Sequence, residues 1–146
     1  MHEVKTVSYY MTTIPGTIAP NATLAAARTL MNSMCVRHLP VTEPDGKVVG
    51  ILSERDLFQL TALHDVDFHK TEVAIGMTPS PYCVRANAAI TEVAEELAAR
   101  RISCAVVVDC CGHIAGIFTE ADAVRALADE AVSQHHVTIK HADHRH

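Results

Sequence analysis

Two short stretches with the same order of residue types decide the fold of this chain. Residues 50–57 read Gly-Ile-Leu-Ser-Glu-Arg-Asp-Leu, and residues 116–123 read Gly-Ile-Phe-Thr-Glu-Ala-Asp-Ala. Both pass from a β-like run, through a hydroxyl residue, into a segment of helical character. They lie 66 residues apart, and the same offset aligns residues 11–57 with 77–123 without a gap and with 11 identities in 47 positions. The chain therefore contains one unit used twice.

Each unit carries the periodicities of two helices and a hairpin. Apolar residues at helical spacing predict helices over 24–34 and 90–98, and further helices are predicted over 54–63 and 120–133. Between them, β-like runs at 38–42 and 47–52, and at 104–109 and 113–118, flank turns that contain Gly46 and Gly112. Short extended pieces at 17–18 and 83–84 supply a third strand. The predicted unit is β-α-β-β-α.

A unit of about 50 to 60 residues buries too little surface to be stable alone, so we expect the two units to pack together. The predicted fold class is α/β (α+β), with two repeats packed sheet to sheet around a pseudo-twofold axis and one cleft for each repeat. Clefts of this kind are favoured sites for small ligands. The predicted domains are repeat 1 over 1–65, repeat 2 over 66–134, and a polar, His-rich, flexible tail over 135–146.

The composition excludes several other classes of protein. The chain has 146 residues, of which 49% are hydrophobic and 20% charged, so it is globular, and no apolar run approaches the length of a membrane span. A formal net charge of −5 makes nucleic acid an unlikely partner. The five cysteines have no paired spacing, so we expect reduced thiols, with Cys83 and Cys104 as small buried side chains. A cytoplasmic location is expected because no secretory segment opens the chain.

The hydroxyl and aspartate residues of the two stretches have two interpretations. In the structural one they form capping boxes, in which Ser53 or Thr119 accepts from a free backbone N–H and Asp56 or Asp122 reaches back to the cap. In the functional one, the free N–H groups of a helix N-terminus and the hydroxyl meet a phosphate, while the carboxylate accepts the hydroxyls of a ribose.

Several segments together resemble the CBS motif, which occurs in tandem pairs called Bateman modules. They are M-T-x-x-P at 11–15, N-A at 21–22, V-R-H-L-P-V at 36–41 with a D-G turn at 45–46, and G-I-L-S-E-R-D-L at 50–57. The likeness covers residues 10 to about 128. Repeat 2 departs from the pattern at Ser103, which replaces Arg37, and at Val106, which replaces Pro40. The resemblance implies a regulatory pair that binds AMP, ADP, ATP, S-adenosylmethionine or NAD and associates as a homodimer.

The resemblance also implies ligand-binding roles for particular residues. Asp56 and Asp122 would hold ribose hydroxyls, and Ser53 and Thr119 would face the phosphate or the sugar. The adenine slot of each aspartate would borrow residues of the other repeat. The borrowed residues are Gly16, Val36 and Arg37 for Asp122, and Tyr82, Ile102 and Ser103 for Asp56. His38 borders the slot, and Arg37 is also a candidate phosphate partner.

The predicted function is a non-catalytic sensor that passes nucleotide occupancy to a partner protein that the sequence does not identify. Self-association is expected through apolar faces on the helices after each hairpin, at Leu57, Leu60 and Leu63 and at Val124, Leu127 and Ala131. One alternative is a ligand-free dimerisation or scaffold module. The other is a metal or redox sensor that uses Cys110, Cys111 and the tail histidines His135, His136, His141, His144 and His146.

Overall fold

The chain folds into two small sheets, each covered by helices. The computed structural model describes the backbone of residues 5–13 and 16–143, and the side chains of these ranges as far as residue 132. The elements in chain order are a 3-10 turn (Val7–Tyr9), β1 (Thr12–Thr13), α1 (Leu24–Met34), β2 (His38–Thr42), β3 (Val48–Ser53), α2 (Glu54–Thr61), α3 (Val73–Gly76), β4 (Thr78–Pro79), β5 (Cys83–Val84), α4 (Ile90–Arg100), β6 (Cys104–Val108), β7 (Ile114–Thr119) and α5 (Glu120–Asp143). This is the predicted α+β architecture of two related repeats.

The two predicted hairpins form the centre of the two sheets. Strand β2 pairs with β3 and β6 pairs with β7, both antiparallel, and the register of each hairpin shifts at the same repeat position, after Val41 and after Val107. Their turns meet each other. The Val48 N–H donates to the Gly112 carbonyl at 3.1 Å, and the equivalent Ile114 N–H donates to the Gly46 carbonyl at 2.9 Å. These two equivalent hydrogen bonds join the repeats in a pseudo-twofold arrangement.

Short strands cross from each repeat into the sheet of the other. Strand β1, which precedes the first helix of repeat 1, pairs with β7, and β4, which precedes the first helix of repeat 2, pairs with β3. The close approach requires glycine in the receiving strands. A Cβ on Gly116 would lie 2.7 Å from the Thr12 carbonyl oxygen, and one on Gly50 would lie 3.0 Å from that of Thr78. Gly50 and Gly116 therefore allow the backbones of β4 and β1 to approach closely.

The hydrophobic cores follow the same exchange. The first cluster contains Leu24, Leu39 and Leu52 of repeat 1 together with Phe68 and Val73, which lie beyond the predicted boundary at residue 65. The second cluster is built mainly from α4, β6 and β7, and it includes Val7 from the start of the chain, with Met11 packed against it. The predicted division into repeats follows the sequence repeat, whereas the packing crosses it in both directions.

The first helix of each repeat ends in a way that positions the candidate site. Helix α1 is followed by the cap residue Cys35 and α4 by the cap residue Arg101, and both are left-handed with φ of 55°. The next N–H in each case closes the helix, because Val36 donates to the Met31 carbonyl and Ile102 donates to the Leu97 carbonyl, both at 3.1 Å. This left-handed ending matches a common helix C-cap geometry. The chain then turns directly into the strand that carries the candidate ligand residues.

Some sequence-based expectations need correction. Thr17–Ile18 is not a paired strand but a single parallel bridge from Ile18 to Val41, whereas the equivalent β5 pairs with β6 over two residues. Cys83 is exposed, because its two-residue strand lies at the edge of the sheet, while Cys104 is buried as expected. The backbone of α5 continues to Asp143, so the helix covers part of the predicted tail, whose flexibility stays a prediction.

The apolar faces expected to mediate self-association are only partly exposed. Leu57 is a core residue and Leu60 packs against the first cluster, because α2 turns these two side chains toward its own sheet. The apolar side chains that α2 and its end expose are Phe58 and Leu63, and α5 exposes Val124, Leu127 and Val132. Ala131 is exposed as well.

Candidate functional site

The helices α2 and α5 both begin with the predicted hydroxyl–aspartate cap. At α2, the Ser53 N–H donates to Asp56 Oδ2 at 2.9 Å and the Asp56 N–H donates to Ser53 Oγ at 3.0 Å. At α5, the Thr119 N–H donates to Asp122 Oδ2 at 2.9 Å and the Asp122 N–H donates to Thr119 Oγ1 at 3.3 Å. Capping boxes of this kind fix the direction of the helix start and hold a carboxylate beside its free N–H groups.

The surroundings of the two aspartates differ. Asp56 is partly exposed, whereas Asp122 is buried. Asp122 Oδ2 also accepts from the Thr119 hydroxyl at 3.1 Å, and Asp122 Oδ1 forms an ion pair with Arg125 in the next turn of α5. Arg125 was not among the predicted site residues. The sequence signal that could have found it is a cation three residues after the aspartate on a helix, at a position where repeat 1 has Gln59.

One hydrogen bond joins the two repeats beside these helix starts. His38 Nε2 and Ser103 Oγ are 2.7 Å apart, and His38 is also the strand partner of Ser53. The backbone of the predicted residues is fixed there too. The Arg37 carbonyl accepts from the Glu54 N–H at 2.8 Å, and the Ser103 carbonyl accepts from the Glu120 N–H at 2.9 Å. The structure therefore brings Arg37, His38 and Ser103 together with the first residues of α2 and α5.

Burial lowers the pKa of His38 below its usual value, while the nearby carboxylates of Asp56 and Glu120 act in the opposite direction. Desolvation is the larger effect, because it penalises the charged imidazolium. The ring is therefore neutral at neutral pH and can share one proton with the Ser103 hydroxyl. A neutral imidazole can donate or accept a hydrogen bond at this junction without adding a charge.

The remaining predicted site residues divide between the two cores. Val36 packs against the first cluster, while Tyr82 and Ile102 pack against the second. The Arg100 guanidinium lies 4.4 Å from the centre of the Tyr82 ring, so a cation covers one face of this candidate adenine contact.

Gly16 lies beside flexible side chain rather than backbone. A Cβ there would lie 2.4 Å from Met34 Sδ and 3.6 Å from Leu39 Cδ2. Among the described hydrogen bonds, none joins Asp122 to Gly16, Val36 or Arg37, so this grouping stays a prediction.

A separate groove lies on the helical side of repeat 1, between α1 and α2. Its volume is about 340 Å³. It is lined by Arg28, Met31, Asn32, Glu54, Leu57, Phe58 and Thr61. None of these residues belongs to the predicted site, and the groove does not include the capping residues Ser53 and Asp56.

The cysteines and histidines of the alternative sensor form no metal centre in the part of the chain with described side chains. The Cys110 and Cys111 sulphurs are exposed and 3.7 Å apart, but no group of three or more His, Cys, Asp and Glu side chains there is arranged to hold a metal ion. The side chains of the tail histidines lie outside the described residues. Buried Cys104 is a poor thiolate, because burial raises its pKa to about 12.

The two repeats, the exchanged strands and the paired helix caps define a tandem CBS pair. The family model of the CBS domain matches residues 4–62 and 71–129. The chain belongs to the CBS-domain family and contains two CBS domains, as the sequence motifs predicted.

Curated relatives of this chain include enzymes much longer than the chain and proteins of similar length. Inosine-5'-monophosphate dehydrogenase of Thermoplasma acidophilum is 34% identical over 110 residues, which are 74% of this chain and 21% of the dehydrogenase. The chain thus spans only about a fifth of the length of the first such relatives. Hypoxic response protein 1 of Mycobacterium tuberculosis is 31% identical over 120 residues, which are 80% of this chain and 81% of that protein.

The structure of CBSX2 in complex with AMP is similar over nearly its whole length. It has a TM-score of 0.75 and 30% identity to this chain, and the match covers 86% of this chain and 98% of the other. Among the described residues, no helix is both long enough and apolar enough to cross a membrane.

Proposed function

We propose that this chain is a regulatory module that binds an adenosine-containing nucleotide between its two CBS domains and passes the occupancy to a partner protein. The observation that carries the proposal is the pair of hydroxyl–aspartate caps at the starts of α2 and α5, next to the His38–Ser103 hydrogen bond between the repeats. These groups supply what a nucleoside phosphate requires, namely N–H and hydroxyl donors for phosphate and a carboxylate for ribose hydroxyls. The structure of CBSX2 with AMP supports the ligand class.

The proposed binding residues are Ser53, Asp56, Arg37, His38, Thr119, Asp122, Gly16, Val36, Tyr82, Ile102 and Ser103. The proposed mechanism is differential binding. A ligand that touches both repeats stabilises one arrangement of the pair, and it shifts the equilibrium only by its difference in affinity between the arrangements. No catalytic step is part of the proposal, and the candidate effectors are AMP, ADP, ATP, S-adenosylmethionine and NAD.

The same proposal places the protein in the cytoplasm as a homodimer. Exposed Phe58 and Leu63 at α2 and Val124, Leu127 and Val132 on α5 support self-association. Large apolar side chains that remain exposed in clusters are typical of an interface. Sedimentation of the full chain tests this part, with a dimer as the expected species and a monomer at micromolar concentration as the contrary result.

A thermal-shift panel of the five candidate effectors tests nucleotide binding. A ligand present at 100 times its dissociation constant stabilises the folded state by about 2.7 kcal/mol, so binding gives a clear rise in Tm. Asp56→Asn removes the charge that the ribose hydroxyls meet, and we expect it to weaken binding by about 10- to 100-fold. Asp45→Asn, in the exposed first hairpin turn, makes the same chemical change away from the site and should bind like the wild type.

A ligand-free scaffold is the second candidate function. It is favoured by the fact that both capping boxes are complete without any ligand. If none of the five nucleotides raises Tm and Asp56→Asn lowers only the stability, the scaffold is supported and the sensor is rejected. A Tm rise with one nucleotide that Asp56→Asn abolishes rejects the scaffold.

A further inference from the structure

The two candidate sites differ in how the carboxylate oxygens of their aspartates are engaged. Asp56 Oδ2 accepts from the Ser53 N–H, and within the described residues no other hydrogen bond reaches this carboxylate. Asp122 Oδ2 accepts from both the N–H and the hydroxyl of Thr119, and Asp122 Oδ1 accepts from the Arg125 guanidinium. The Asp122 side chain is only 7% exposed. One aspartate thus keeps a free oxygen, whereas the other has both oxygens engaged.

The start of the chain also contacts Arg125. The same guanidinium donates to the Tyr10 carbonyl at 3.4 Å, and the Tyr10 hydroxyl donates to Asp129 Oδ2 at 2.5 Å, farther along α5. Tyr10 also packs against the second core cluster. The ion pair at Asp122 is therefore part of a set of contacts between α5 and the segment that crosses over from repeat 1.

Repeat 1 has no equivalent of this set. The 66-residue offset matches Arg125 with Gln59, Tyr10 with Gly76, and Asp129 with Leu63. Gln59 carries no charge, Gly76 has no side chain and Leu63 has no hydrogen-bond acceptor on its side chain. All three positions differ between the repeats, so the difference between the two aspartate sites follows from the sequence.

We infer that Arg125 blocks nucleotide binding at Asp122, so that each chain binds one nucleotide, at Asp56. The inference rests on the proposed function and specifies which of its two sites is open. A ribose hydroxyl that approaches Asp122 Oδ1 meets an oxygen that already accepts from a charged donor, on a carboxylate that is 7% exposed. Although the Arg125 side chain is 63% exposed, its charge-assisted hydrogen bond to Asp122 is stronger than one from a neutral hydroxyl, so replacing it with a ribose hydroxyl is unfavourable. Among the ion pairs of the described residues, none involves Asp56.

Isothermal titration of the full chain with AMP tests this assignment by stoichiometry. Wild type is expected to bind one AMP per chain, and Arg125→Gln, which installs the residue of repeat 1, is expected to bind two. Arg85→Gln is the matched control, because it removes the same charge from an exposed residue that lies near Asp109 at the second hairpin turn. We expect this control to bind one AMP.

The reciprocal variant keeps the test decisive if Arg125→Gln does not fold. Gln59 is exposed, and Gln59→Arg places a guanidinium three residues after Asp56 on the surface of α2. An added charge-assisted partner on Asp56 is expected to weaken AMP binding by about tenfold or more.

The AMP titrations distinguish failure of the Arg125 inference from failure of the proposed function. Two AMP molecules per wild-type chain, or one in a folded Arg125→Gln, overturn the blocking role of Arg125 and leave the proposed function intact, as does unchanged affinity in Gln59→Arg. If neither AMP nor the other four nucleotides binds wild type or either variant, the proposed function and this inference both fail.

Discussion

At the scale of single residues, His38 is the side chain that connects the repeats at the candidate site. It is half-buried, it bonds to Ser103, and the charged groups that act on it are Asp56, Glu120, Glu54 and Arg37. Its pKa is lowered in the folded protein, so the unfolded chain takes up a proton at a higher pH than the folded one. The contribution of His38 to stability is therefore complete above the unfolded pKa of about 6.5 and is lost as the pH falls below it.

We expect His38→Gln to reduce the loss of stability on acidification. Glutamine can still bond to Ser103 but does not titrate, so the difference in unfolding free energy between variant and wild type should shift in favour of the variant as pH falls below about 6.5. Urea unfolding at a series of pH values measures this difference. His113→Gln, in the exposed second turn, is the control for a histidine outside the junction. Parallel pH profiles for wild type and His38→Gln would contradict the prediction.

The cap residue Ser53 gives a second prediction at this scale. Ser53→Ala removes the acceptor of the Asp56 N–H and should lower the free energy of unfolding by about 1 kcal/mol. The matched control is Ser33→Ala, because Ser33 lies inside α1 and its exposed hydroxyl bonds only the Leu30 carbonyl. That change should stay within about 0.5 kcal/mol. Equal losses of unfolding free energy in the two variants would show that the Ser53 cap does not stabilise the protein.

At the scale of elements, the exchanged strands depend on the glycines that receive them. Gly116→Ala places a Cβ 2.7 Å from the Thr12 carbonyl oxygen, so β1 must shift, and we expect a loss of about 1 to 3 kcal/mol of unfolding free energy. In Gly16→Ala the nearest atoms are the flexible end of Met34, which is 42% exposed and can move away, so a smaller loss is expected. Denaturant unfolding compares the two, and a larger loss for Gly16→Ala would disprove this account.

The elements also show what the sequence could and could not predict. Helices and hairpins were predictable because their apolar periods extend over many residues, as at Leu24, Ala27 and Met31, which are all buried. The crossing strands β1 and β4 have two residues each, too few for a period, so the exchange could not be seen. The capping boxes were predictable from local spacing, but the Arg125 ion pair was not, because the matching residue of repeat 1 is Gln59 and the repeat therefore carries no signal at this position.

At the scale of the whole molecule, the sequence repeat and the folding unit have different boundaries. The first core needs Phe68 and Val73, which follow residue 65, and Val7 belongs to the second core. A fragment of residues 1–65 therefore lacks part of the first core, and it exposes the N-terminal segment around Val7 that packs in the second core. A fragment of residues 16–79 contains the whole first cluster together with β4, the strand that completes its sheet.

A single unit is marginal without its twin, but we expect the fragment 16–79 to keep more of its helical structure in urea than the fragment 1–65. The two have almost the same length, so the comparison separates the placement of the boundary from the general weakness of small domains. Circular dichroism at 222 nm follows the helices in both. Phe68→Ala in the 16–79 fragment removes a buried side chain that also lies 4.7 Å from the Arg28 guanidinium, and it should abolish this difference between the fragments. If 1–65 proved the more stable fragment, the folding unit would coincide with the sequence repeat. The segments that contain Val7, Phe68 and Val73 would then not be needed for either core to fold.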